Sequence, residues 1–146
     1  MKVFRSHLKV RSYELDSWGH VNHAVFLNYL EQARFEALDS AGFSYGAIQA
    51  RGWAIHVVRA EIDYLAELKL DDALEIETWI EGYRRTSMVL AQRIFRSRKG
   101  FAEPVLAAKS KVIGVWIGEN GRPMRVPPAV KDGMGTPRGV GDDKGV

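Results

Sequence analysis

Residues from about His23 to Ala41 constrain this chain most. Phe26, Leu30, Ala33, Ala37 and Ala41 recur at helical spacing, while Tyr29, Phe35 and Leu38 widen the apolar face over most of the circumference. Gly42 follows directly, where a left-handed residue ends a helix. A helix apolar on most sides is expected to be buried in the fold rather than to lie on it. The rest of the chain must then supply a sheet broad enough to cover it.

The rest reads as that sheet. Residues near 3–14 alternate loosely, Leu8, Val10 and Ser12 against Lys9, Arg11 and Tyr13, and predict a first strand before the helix. Residues 44–50 form a short second helix or only a connection. Trp53 to Tyr64 is a strand, and Asp71-Asp72 marks a turn. From Ala73 to Glu81, Leu74, Ile76, Thr78 and Ile80 alternate with Glu75, Glu77, Trp79 and Glu81, the period of a strand with one dry and one wet face. Gly82 to Ser87 turns the chain into a strand over Met88–Ser97, and Lys99-Gly100 turns it into the last, Pro104–Ile117. The order is β–α–β–β–β–β, an α+β fold with a five-stranded antiparallel sheet around one long central helix. Such a sheet leaves long edges, and pairing with a second copy would cover one, so a homo-oligomer is expected, a dimer or a dimer of dimers.

The 146 residues, 46% hydrophobic and 27% charged, suffice for one domain with its own core. We place it at residues 1–132. Beyond Gly118 the sequence is Gly/Pro-rich, and Pro123, Pro127 and Pro128 suggest an extended arm. Residues 133–146 are expected to be a flexible tail. There are no cysteines, which excludes thiol catalysis, disulfides and thiolate metal sites. The N-terminus lacks the apolar run of a signal peptide, and no segment is long and apolar enough to span a bilayer. A cytoplasmic protein without a membrane partner is expected. The net charge of +3 suits an anionic ligand, whereas no basic block or motif points to nucleic acid.

Chemistry concentrates at the join between the first strand and the helix, in Tyr13-Glu14-Leu15-Asp16-Ser17-Trp18-Gly19-His20-Val21-Asn22-His23. An aspartate in water is ionised at neutral pH, so Asp16 can accept a proton or attack. The first amides of the helix lack intrahelical partners and favour negative charge. A base beside such amides can hydrolyse an activated acyl group, because a thiol leaves as thiolate without obligatory protonation. The alternative is that Asp16 only caps the turn or the helix start. Asn22 can hold the loop or contact substrate. His20 and His23, three apart near Asp16, resemble part of a zinc inventory, but no fourth constraint accompanies them and no metal is expected. His56, in a strand, reads as a core or surface histidine. Glu31 either faces an acyl pocket or is a solvated helix charge. Trp18, Phe26, Trp53 and Tyr64 either line a pocket or are plain core.

Two stretches resemble a known family. Asp16-Ser17-Trp18-Gly19-His20-Val21-Asn22-His23, with Phe26-Leu27-Asn28-Tyr29 and Glu31 behind it, is similar to the D-x-x-G-[HI]-V-N run and hydrophobic helix of 4-hydroxybenzoyl-CoA thioesterase-like, hotdog-fold acyl-CoA thioesterases. Asp71 to Ile80, followed by Arg84-Arg85-Thr86-Ser87, is similar to the strand and turn beyond that helix, and Gly121 to Pro127 to the end of the domain. The resemblance spans roughly residues 5–130. It implies an acyl-CoA thioesterase needing no separate cofactor. Asp16 would be general base or nucleophile, and the His23 backbone amide would polarise the carbonyl, with Gly19 allowing close approach. The site would lie at a dimer interface. Substrate contacts would come from His20, Asn22, Glu31, Arg84, Arg85 and Ser87, the arginines meeting coenzyme A phosphates. Thr86 stands where a third basic residue can occur. Arg98-Lys99 and Lys109 with Lys111 are alternative phosphate contacts. Two rivals remain: a hotdog dehydratase or hydratase using His20 with Asp16, and a non-enzymatic acyl-CoA-binding module.

Overall fold

The computed structural model describes residues 1–137. In chain order they form β1 (Phe4–Lys9), a 3₁₀ turn (Ser12–Glu14), α1 (His23–Ser40), α2 (Tyr45–Ala50), β2 (Ala54–Tyr64), β3 (Ala73–Tyr83), β4 (Ser87–Ser97), β5 (Val105–Ile117) and α3 (Pro128–Met134). The strands make one antiparallel sheet in the order β1-β3-β4-β5-β2. The alternation in β3 is realised as expected: Leu74, Ile76, Thr78 and Ile80 are buried, and the intervening residues face outward.

Helix α1 crosses the inner face of this sheet. Its N-terminal half packs Phe26, Tyr29, Leu30 and Ala33 against Leu74, Ile76, Ile94 and Ala108. Its C-terminal half packs Ala37 and Leu38 into a second cluster with Ile80, Leu90 and Trp116. One buried polar row interrupts the apolar contact. Gln92 donates to the Leu30 carbonyl at 2.9 Å and to Thr78 Oγ1 at 3.0 Å, and its Oε1 accepts from Arg34 Nη1 at 2.9 Å. This is the hotdog arrangement of one long helix on a five-stranded antiparallel sheet.

Three expectations need correction. The first strand stops at Lys9, because Glu14 turns its side chain inward and closes a 3₁₀ turn instead of continuing the ladder. The long helix is not covered on every side: Leu27 and Phe35 each remain 39% exposed. The sheet packs on one flank only, and over β2 the inner face stays open, with Val57 51% exposed. Finally, the C-terminal segment is not simply an extended arm. Pro128 takes the first position of α3, where its missing N–H costs nothing, and Val130 and Met134 are fully buried in the second cluster.

Packing also continues past the expected boundary at residue 132. A Cβ on Gly133 would meet the Ala41 carbonyl oxygen at 2.5 Å, so α3 approaches the end of α1 as closely as only glycine permits. The Gly135 carbonyl accepts from Tyr83 Oη at 2.8 Å. The remainder of the expected tail, 138–146, lies outside the described residues. Residues 45–50 do form a helix, capped by Ser44 Oγ on the Ala47 N–H. Among the described residues no helix is long and apolar enough to cross a membrane.

The burial of Met134 gives a direct check. Met134→Ala should lower the unfolding free energy by about 2–5 kcal/mol in urea denaturation. An unchanged midpoint would show that α3 does not pack in solution.

Candidate active site

The chain between β1 and α1 closes on itself as a small hairpin. The Asn22 N–H donates to the Glu14 carbonyl at 3.0 Å, Leu15 bridges Val21, and the Asp16 N–H donates to the His20 carbonyl at 2.7 Å. Asp16 to Gly19 is the turn, closed by the Gly19 N–H on the Asp16 carbonyl at 3.2 Å. Gly19 has φ +83°, with open space where a Cβ would point. A glycine is what this left-handed turn requires.

Asp16 plays two parts here. Its Oδ1 accepts from the N–H groups of Trp18 at 2.9 Å and His20 at 3.1 Å, which is the capping role weighed as an alternative. Among the described residues nothing donates to Oδ2. One oxygen fixes the carboxylate to its loop while the other stays available, so capping and chemistry do not compete. The contact with His20 is to its main chain, not its imidazole.

Helix α1 begins directly beyond. Asn22 is its N-cap, with Oδ1 accepting from the Ala24 N–H at 2.9 Å and the carbonyl accepting from the Val25 N–H at 2.9 Å. These bonds consume the second and third amides of the helix. The first, on His23, has no acceptor among the described residues and lies at the positive end of an 18-residue helix. The His23 carbonyl accepts from Tyr64 Oη at 2.8 Å, and the Tyr64 ring packs edge-on against His23 and Phe26. Tyr64 thus ties the end of β2 to the start of α1. Burial pushes its phenol above the ordinary value.

Sequence reasoning missed the group beneath the hairpin. Glu14 is 6% exposed; its Oε1 accepts from the Arg11 N–H and from Tyr29 Oη, each at 2.8 Å, and its Oε2 accepts from Arg11 Nε at 3.1 Å and Nη2 at 2.7 Å. Burial pushes the Glu14 carboxyl up, yet hydrogen bonds from Arg11 and Tyr29 hold it below its ordinary range. Burial and the neighbouring carboxylate push the Tyr29 phenol up. The available signal was Tyr29 itself: a tyrosine on a buried helix face needs a partner for its hydroxyl, and the acid in the adjoining run could supply it.

The other expected contacts are dispersed. Glu31 does not join the hairpin; it lines a groove of about 100 Å³ beside α1, with Arg34, Phe35, Leu38, Ile55 and Val57. Arg34 there has its guanidinium pKa lowered by burial. Arg84 and Arg85 are exposed at the β3–β4 turn, where the Thr86 carbonyl accepts from the Trp116 N–H and Trp116 pairs with Ile55 near the start of β2. That is the opposite end of the sheet from Tyr64 and the hairpin. Ser87 is 7% exposed, with its carbonyl closing this turn onto the Arg84 N–H at 2.8 Å. Of the alternative cations, Arg98 forks onto buried Asp72 at 2.8 and 2.9 Å, and Lys111 pairs with Glu81 at 2.8 Å. Trp18 is 84% exposed beside Asp16, Phe26 is core, and Trp53 packs edge-on to Trp116. No three His, Asp or Glu side chains gather as a metal site among the described residues.

Comparison with known proteins places this geometry. The chain is 36% identical over 128 residues to the chloroplastic acyl-acyl carrier protein thioesterase ATL2 of Arabidopsis thaliana, covering 88% of this chain and 66% of that one. It therefore spans just under two thirds of the plant protein's length. It is 36% identical over 115 residues to the acyl-CoA thioester hydrolase YbgC of Escherichia coli O157:H7, covering 79% of this chain and 82% of that one. Its fold matches a solved 4-hydroxybenzoyl CoA thioesterase complexed with 4-hydroxybenzoyl CoA, at a TM-score of 0.85 and 20% identity over 92% of this chain and all of that one. The sequence profile of the thioesterase-like superfamily matches residues 10–134, from the end of β1 through α3, and the chain belongs to that family.

Proposed function

We propose that this protein hydrolyses acyl-CoA thioesters to a free acid and coenzyme A, with Asp16 and the His23 amide as the reacting centre. One observation carries this: a carboxylate with one oxygen fixed and one free stands in a hairpin that ends at the unpartnered first amide of α1. Free Oδ2 takes a proton from attacking water, or itself attacks the thioester carbonyl. Negative charge then develops on the carbonyl oxygen, where the His23 N–H and the helix dipole oppose it. Where water attacks, the tetrahedral intermediate collapses to the free acid and thiolate. Where Oδ2 attacks, collapse releases thiolate and leaves an acyl anhydride on Asp16, which water then hydrolyses to the acid. In both cases the thiolate gains a proton from solvent. The family and the thioesterase names of its relatives support this reading.

The active form is a homodimer paired through β2. The opposite edge, β1, has six residues and carries Arg5, His7 and Lys9, which guard it against pairing. Strand β2 is the longer edge, 11 residues; Arg59, Glu61 and Asp63 and an irregularity at Val58 occupy its second half, but Val57 and Val58 leave apolar surface 51% and 62% exposed there. An isologous antiparallel pair of β2 strands would join two sheets and enclose the open grooves beside both helices. It also resolves the distance between Asp16 and the arginines. Within one protomer they lie at opposite ends of β2, roughly 35 Å apart along an extended strand. Two-fold pairing sets the start of one β2 against the end of the other, so the partner's Arg84 and Arg85 would serve the Asp16 of the first chain as its phosphate contacts.

Asp16→Asn should cut thiol release from acyl-CoA by about 10²–10⁴-fold while acyl-CoA still binds. Normal turnover in the folded variant sinks the mechanism. Running the same assay with acyl-acyl carrier protein decides the carrier. Mixed dimers test the pairing. If sites form across the dimer, combining Asp16→Asn chains with Arg84→Ala/Arg85→Ala chains restores one intact site per pair, with about half the wild-type turnover and an unchanged KM. Sites built within one chain would leave every mixed pair without an intact site.

A further inference from the structure

We infer that Glu14 and Tyr29 are positioning residues that set the Asp16 carboxylate against the His23 amide, a role that rests on the thioesterase reading above. Glu14 grips α1 at two points. Its carbonyl holds the Asn22 N–H at 3.0 Å, at the mouth of the helix. Its Oε1 holds the Tyr29 hydroxyl at 2.8 Å, about two turns further along. These bonds close a circuit from Glu14 through Asn22, along the first turns of α1 to Tyr29, and back to Glu14.

Both reacting groups hang from that circuit. Asp16 follows Glu14 on the strand side of the hairpin, and His23 follows Asn22 on the helix side. The Val21 N–H on the Leu68 carbonyl at 2.8 Å ties the hairpin to the segment before β3, and the two Glu14 bonds set it against the helix, opposing rotation about the helix axis and sliding along it. Arg11 fixes the carboxylate itself through its N–H and its guanidinium. Taking a carboxylate out of water is costly, and an apolar pair of similar volume would hold a core as well. What the polar pair supplies is direction, which apolar packing lacks. A reaction that needs a base and an amide aligned on one carbonyl depends on that, because a displacement of about 1 Å can cost about 10²-fold in rate.

Tyr29→Phe keeps the ring and removes only the hydroxyl. At a temperature where the variant is fully folded by circular dichroism, kcat for thiol release should fall by about tenfold or more, with KM within about twofold of wild type. Glu14→Gln, which keeps the Oε1 acceptor, should retain more turnover than Glu14→Ala. In an Asp16→Asn background, Tyr29→Phe should change the residual rate by less than about twofold, because the group it aims is already gone. A wild-type kcat in Tyr29→Phe, or the same proportional loss with and without Asp16, overturns the positioning role. If Glu14→Ala does not fold, the Tyr29→Phe pair of measurements decides alone. Full turnover in Asp16→Asn would overturn the thioesterase mechanism and this inference with it. Loss in Asp16→Asn with none in Tyr29→Phe overturns this inference only.

Discussion

The side-chain amide of Gln92 fixes where the long helix lies. Apolar contact between α1 and the sheet is strong but non-directional, and a helix bearing mainly Ala, Leu and Phe could shift along it at little cost. Gln92 is 1% exposed and sends its amide into the Leu30 carbonyl, while Thr78 on one side and Arg34 on the other occupy its remaining groups. Leaving any of these unpaired in a dry interface would be expensive. This one polar row converts a greasy contact into a register. Once α1 is registered on the sheet, the position of its N-terminus follows.

A second polar contact then carries that register to the loop. Tyr29 neighbours Leu30 in sequence, so the turn that Gln92 holds from below is the turn that Glu14 holds from the side. Tyr64 adds a third hold at the mouth of the helix, through the His23 carbonyl. The hairpin of Asp16 is thus placed by side chains from the sheet, from the helix and from the loop itself. Its own backbone bonds define its shape, and the Val21 N–H on the Leu68 carbonyl at 2.8 Å adds a main-chain tie to the segment before β3. This explains why so short a loop, with Trp18 almost fully exposed, can still present a carboxylate in one direction.

Much of this was legible in the sequence. The helix and the wet and dry faces of β3 follow from period, and the strands around them from the turns at Asp71-Asp72, Gly82 to Ser87 and Lys99-Gly100. Asp16 was legible as a cap or a catalyst, and the structure gives the first role to Oδ1 while leaving Oδ2 for the second. The misses have separate causes. Glu14 sits in a run whose alternation suggests a strand, and a glutamate there reads as solvated; only Arg11 and Tyr29 make its burial affordable. Helix α3 hides among prolines because Pro128 starts a helix as well as it breaks one. Arg84 and Arg85 were legible only through the family resemblance, and sequence carries no measure of their distance from Asp16 across the sheet.

That distance separates the two halves of the site in kind. The half built around Asp16 is local: residues 11–29 contain the hairpin, its cap, the free amide and the Glu14–Tyr29 circuit. It can form wherever α1 is seated, so it depends on the core and not on a partner. The groove beside α1 and the exposed turn at Arg84 and Arg85 are different. They are surfaces of one chain with an open side along β2, where Val57 and Val58 are exposed. The groove and the hairpin are joined by α1 and by β2, whose Ile55 and Val57 line the one and whose Tyr64 holds the mouth of the helix at the other.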